Sequence, residues 1–167
     1  MPGVYNPLKT KKCPWPKPRY NAYIYTNKHI MNQRSEQLLA LRPSIANARF
    51  NDQMSAEEHF QNKTLRPVIK LQNEILLASF QNYIIKGKNA FYELTLDRRL
   101  EYISNAVQKD MKFRNSLKGM IMGQFTLEEY NLYIQNSSAL NKRMMNMVIK
   151  RIQDQLQYFE QPALINQ

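Results

Sequence analysis

Apolar positions recur every three or four residues from Met31 to about Phe159, and that spacing predicts helices almost throughout. Ser35–Leu41 reads as a short helix with Leu38, Leu39 and Leu41 apolar. Arg42-Pro43 ends it, because the residue before a proline disfavours helix. Residues 43–54 read as irregular. Ile45, Phe50 and Met54 would pin this stretch across a helix surface, as an arm that wraps the domain or docks on a second copy. Ser55-Ala-Glu-Glu58 has capping-box spacing and starts a helix near Ala56. Pro67 either kinks one long helix or opens a second, with Thr64 as its cap. From there to Lys86, Val68, Ile69, Leu71, Ile75, Leu76, Leu77, Phe80, Tyr83, Ile84 and Ile85 cover more than one stripe. A helix apolar on most sides is expected to be the buried central element, and Gly87 to be its left-handed cap.

Thr95 is placed to cap a helix over Leu96–Lys109, with Leu96, Leu100, Ile103 and Val107 facing inward. Met111–Met122 carries Met111, Leu117, Met120 and Ile121 and stops at Gly123. Thr126-Leu-Glu-Glu129 is a second capping box; it opens a helix whose Leu127, Tyr130 and Ile134 line one face. Asn136-Ser137-Ser138 breaks that helix, and Ser137 or Ser138 caps a last one to about Phe159. Its seam is Met145, Val148, Ile152, Leu156 and Phe159, flanked by Met144 and Met147. Phe91–Leu94 is too short to build a sheet. The expected fold is all-α: an irregular bundle of five or six helices with an extended N-terminal arm. Residues 31–54 form the short helix and arm, 55–160 the helical domain and 161–167 a tail.

Composition changes this picture at one place, Met31. The first thirty residues hold five of the eight prolines, the only Cys (Cys13), the only Trp (Trp15), six basic residues and no acid. Of the net charge of +11, they carry +6 and residues 31–167 carry +5. Pro14, Pro16 and Pro18, alternating with Trp15, Lys17 and Arg19, favour an extended polyproline-like strand. Three readings stay open for residues 1–30: a basic arm with Trp15, Tyr20 and Tyr23 as stacking faces for nucleic acid, a disordered tail, or a mis-assigned start upstream of Met31. A single Cys forms no internal disulfide. No run of about 18 apolar residues spans a membrane, and residues 1–30 lack the apolar core of a secretory signal. A cytoplasmic protein is the expectation.

Candidate chemistry is sparse. His29 and His59 are the only histidines, and His59 has no second ligand at i+4, so no metal site is expected. No nucleophile elbow exists, and Gly119 and Gly123 lack the pattern of a phosphate-binding loop. Glu57/Glu58 and Glu128/Glu129 sit in first turns, where the helix dipole explains them. No catalytic residue or cofactor is expected. Two basic clusters remain: Lys109, Lys112, Arg114 and Lys118 on one helix, and Lys142, Arg143, Lys150 and Arg151 on the last. Of these, Lys112, Arg114, Lys118, Lys142, Arg143 and Lys150 are the candidate phosphate contacts. The helix–Gly123–helix unit argues against sequence-specific DNA binding, since Glu128 and Glu129 would lead the second helix into the groove. Met111, Met120, Met122, Met144, Met145 and Met147 offer deformable apolar surface, as core filler or for a partner helix.

The run Gln37-Leu-Leu-Ala-Leu-Arg-Pro through Phe60-Gln-Asn-Lys-Thr-Leu-Arg-Pro-Val-Ile-Lys-Leu-Gln-Asn resembles a group of small uncharacterised helical bacterial proteins often labelled "glyoxalase". So do Phe113-Arg-Asn-Ser-Leu-Lys-Gly-Met-Ile-Met-Gly-Gln-Phe-Thr and Ser138-Ala-Leu-Asn-Lys-Arg-Met-Met. The resemblance spans about residues 36–160 and implies a helical cytoplasmic protein. Glyoxalase I is built from paired βαβββ units around a His/Glu/Gln metal site, and glyoxalase II carries a histidine-rich zinc motif; this chain has neither pattern. Three functions follow in order: non-enzymatic binding by self-association or docking on a larger assembly, association with RNA or the ribosome through the basic helix faces, and a metal-dependent glyoxalase-type enzyme, which is disfavoured.

Overall fold

A computed structural model describes residues 33–45 and 53–160. Residues 1–32, 46–52 and 161–167 lie outside that description, and with them the readings made for the proline-rich start, for Phe50 and for the tail. The described residues are all-α, with no strand among them. In chain order the helices are α1 (33–40), α2 (Ala56–Phe60), α3 (Arg66–Leu71), α4 (Asn73–Lys86), α5 (Leu96–Lys109), α6 (Met111–Met122), α7 (Leu127–Gln135) and α8 (Ser137–Gln153). Short 3₁₀ turns stand at Ala90–Glu93 and Leu156–Phe159.

Pro67 explains the entry to the domain. A proline inside a helix lacks one N–H and its ring crowds the carbonyl four residues back. The chain widens to a π turn over Gln61–Leu65, where Arg66 N–H bonds Gln61 O, and Pro67 then sits in the first turn of α3. Thr64 is no cap; it is buried in the π turn and its hydroxyl donates to Glu129 at 2.8 Å. Both capping boxes form, at Ser55/Glu58 and at Thr126/Glu129. Thr95 holds the N-cap position of α5 without a side-chain bond, and Asn136 rather than Ser137 or Ser138 stands at the head of α8. Between α5 and α6, Asp110 does the capping, accepting from Lys112 N and Phe113 N at 3.0 Å each.

Gly87 does not adopt the left-handed conformation; its φ is −80°, and the positive angles fall on Lys88 (56°) and Asn89 (61°). Space favours glycine instead, since a Cβ there would lie 2.8 Å from the Tyr102 hydroxyl and 3.3 Å from Ile84 O, and the tyrosine would have to shift.

The central element is α8, not α4. It packs against the π turn and against α3, α4, α5, α6 and α7, and buries Leu140, Met144, Met145, Val148, Ile149 and Ile152. One face of α4 is buried through Leu76, Leu77, Phe80 and Ile84, while Ile75 and Ile85 point to solvent. Its apolar residues cover two faces, and neighbours cover only one. The α-helical part of the last segment ends at Gln153, and the 3₁₀ turn after it delivers Phe159 into the core. There Phe80 is the hub, with ring centroids of Phe159 at 5.1 Å, Phe91 at 5.8 Å and Phe113 at 6.3 Å. Burying such a ring stabilises the fold by about 1.5–3 kcal/mol.

Candidate functional site

The helix that departs most from expectation is α7. Leu127, Tyr130 and Ile134 do share one face, since steps of three and four return to the same side of a helix. That face points away from the core: the three are 44%, 45% and 53% exposed. Leu132 on the flank is 55% exposed, and Tyr133 alone is buried.

Polar contacts hold α7 in place. Glu129 lies in its first turn and accepts from Arg42 at 2.5 and 2.7 Å through both carboxylate oxygens. Arg42 also donates to Gln124 O at 2.8 Å. Arg34, two turns earlier on α1, donates to Gly123 O at 2.8 Å and to Phe125 O at 2.9 Å. Two arginines of the arm therefore grip the turn that enters α7. The Arg42–Glu129 pair is nearly dry, with side chains 6% and 12% exposed. Burial pushes the Glu129 carboxyl up, but Arg42, the Thr126 N–H and the Thr64 hydroxyl outweigh it and hold the group below the usual carboxylate range.

Beside this clamp lies a groove of about 480 Å³ between α1, α2, the π turn, α7 and the start of α8. Phe60 and Leu140 form its buried floor, and exposed Leu39 and Leu132 stand at its rim. Glu57 and Glu128 supply acidic groups and Lys63 a basic one. The Glu57 carboxyl is held below its ordinary value by its own backbone N–H, then by the Ser55 hydroxyl and the Asn136 amide. Leu39 and Leu132 leave the rim of the groove apolar, and Leu127, Tyr130 and Ile134 form a separate exposed stripe on the other flank of α7.

The six candidate phosphate contacts do not share one cleft. Lys112 lines a cleft among α4, α5 and α6 with Tyr83, Tyr102 and Asp110. Arg143 and Lys150 line a cleft on the other side of α8, facing the π turn and α3. Arg114 and Lys118 are half-buried on α6, and Lys142 is exposed on α8. The sequence pattern missed Arg66, which joins Arg143, Lys150 and Arg151 in the second cleft. Helical spacing alone pairs residues of one helix, and Arg66 arrives from a segment whose rotation depends on the π turn. Just after α1 the chain touches the domain: Ile45 lines that same cleft, and Lys70 Nζ donates to Ser44 O at 3.3 Å.

Among the described residues, no three His, Cys, Asp or Glu side chains come together as a metal site, and no helix is long and apolar enough to cross a membrane. No family model, no curated protein and no solved structure matches this chain.

Proposed function

We propose that the protein acts by binding, as a homo-oligomer whose copies meet through α7. The observation that carries this is the outward stripe of Leu127, Tyr130 and Ile134 on α7. Contiguous exposed apolar surface of this kind marks interaction sites. A second copy is the favoured occupant on charge. Residues 31–167 carry +5, which opposes the approach of like molecules, yet α7 contains no Lys or Arg. The apolar stripe is therefore the place where two copies meet without cation repulsion. A two-fold pair presents the same patch from both sides, so α7 would pack on α7. The exposed polar Asn131 and Gln135 border the stripe along α7. A lone Cys suits a cytoplasmic setting for this assembly.

Sedimentation velocity over a dilution series tests the proposal. Wild type is expected to pass from dimer to monomer on dilution, and Ile134→Asp to stay monomeric at every concentration with unchanged helicity. A wild type that is monomeric throughout would refute it, as would an Ile134→Asp variant that dimerises like wild type.

A further inference from the structure

The second face of the molecule points to a different partner. The cleft between the π turn, α3 and α8 measures about 470 Å³ and is lined by four cations, Arg66, Arg143, Lys150 and Arg151. Its floor is apolar, with Ile45, Ile69 and Met147. It continues past Gln61, Arg66 and Arg143 into a second cleft of about 400 Å³ that adds Gln53, Asn62 and Glu58. Arg66 and Arg143 thus stand on a ridge shared by both.

Charge here is only partly neutralised within the molecule. Lys150 pairs at 2.7 Å with Asp154, which also lines the cleft, and Arg143 lies near enough to Glu57 to favour its charged form, but among the described residues Arg66, Arg143 and Arg151 form no ion pair. Arg143 donates at 2.9 Å to Gln61, a neutral amide that orients the guanidinium and leaves its charge in place. Three such arginines on the walls of one groove match phosphate, which a guanidinium grips with two parallel hydrogen bonds. The walls also carry the amides Gln53, Gln61, Asn62 and Asn146. Amides both donate and accept, as the edges of nucleotide bases do, whereas the carboxylate side chains of an acidic peptide only accept. Guanidinium planes and an apolar floor accommodate unstacked bases.

We infer that this cleft binds single-stranded RNA, with Arg66, Arg143 and Arg151 on its phosphates. The inference is independent of the α7 contact, whose helix contributes no residue to this cleft and contains no Lys or Arg. It narrows the basic surface to one cleft and leaves Lys112, Arg114 and Lys118 outside it.

Fluorescence anisotropy with a labelled, mixed-sequence single-stranded RNA of twelve nucleotides and the full chain tests it. A triple Arg66→Gln, Arg143→Gln, Arg151→Gln variant is compared with a triple Lys11→Gln, Lys12→Gln, Lys17→Gln variant, which removes the same charge from the N-terminal segment. The cleft triple is expected to weaken binding at least about tenfold and to flatten the dependence of log affinity on log salt by about 2, the value for three lost phosphates on a single strand. The N-terminal triple is expected to change both less. Asp154→Asn removes the acid paired with Lys150 and is expected to tighten binding about threefold, a gain that a misfolded variant would not produce. Equal losses in the two triples would overturn the proposal, and so would a cleft triple that binds like wild type or an Asp154→Asn variant with no gain. No RNA binding at low salt, or polyglutamate competing as well as unlabelled RNA, would also overturn it; the last result would assign the cleft to an acidic protein.

Discussion

Helices α7 and α8 are joined through Asn136 and held by opposite means. Of the nine residues in α7, Tyr133 alone is buried, and its anchor is the Arg42–Glu129–Thr64 cluster. Seventeen residues make up α8, six of them buried and all six apolar, and it packs on α3, α4, α5, α6 and α7. The contrast shows what sets the direction of an amphipathic helix. Glu129 and Tyr133 lie about 40° apart on the helix wheel, and the stripe of Leu127, Tyr130 and Ile134 is turned about 110° from them, to one side of α7. With Arg42, just after α1, holding Glu129 inward, those apolar side chains are turned away from the core. In α8 the polar contacts of Arg143 and Gln153 lie beside the apolar face rather than across it, and Asn141 near the helix start accepts from the Tyr133 hydroxyl, so the widest apolar side goes in.

The comparison breaks first in the core. Phe80→Ala should cost about 3–5 kcal/mol, because it leaves a cavity where five other rings meet, and chemical denaturation would read the loss. A loss below 1 kcal/mol would remove Phe80 as the hub. The clamp comes next. Arg42→Met leaves the Glu129 carboxylate buried without its cation and should cost about 3 kcal/mol. The double variant Arg42→Met, Glu129→Gln should recover part of that, since no lone charge then stays buried.

Protonation sharpens the same point. The folded-state pKa of Glu129 is depressed, so its contribution to stability is fully present above the unfolded-state pKa and is lost as pH falls through the folded value. The stability gap between wild type and Glu129→Gln should therefore be largest near neutral pH and close on acidification below the ordinary carboxylate range. A gap that widens in acid would contradict the sign. Smaller still is the second capping box: Thr126→Ala loses the bond to Glu129 N and should cost about 1 kcal/mol. Smallest is Leu127→Ser on the outward stripe, measured on dilute protein, which should change stability by less than about 0.5 kcal/mol. A large loss there would mean that α7 is held by apolar packing after all.

Fold class, both capping boxes and most of the α8 seam were legible because they rest on local spacing. Ser55-x-x-Glu58 and Thr126-x-x-Glu129 form as read. The direction of each apolar face was less legible. Ile75, Ile85, Leu96 and Met111 match the core stripes in chemistry and all stand exposed. Whether a neighbour covers them depends on contacts far away in the chain. The clamp was hidden for the same reason: Arg42 and Glu129 are 87 residues apart, and Arg42 read only as the residue that ends α1. Likewise Arg66 and Arg143 come together because α3 follows a π turn whose width the presence of Pro67 suggests and does not specify.

The central claim, that α7 meets its own copy, is tested most directly by site-specific cross-linking. In a Cys13→Ser background, a single cysteine at Asn131, on the outward side of α7, is compared with one at exposed Glu101 on α5. A short bis-maleimide should capture dimers through Asn131→Cys and not through Glu101→Cys, and adding Ile134→Asp should abolish them. Equal capture at both positions, or none at Asn131→Cys, would contradict the account.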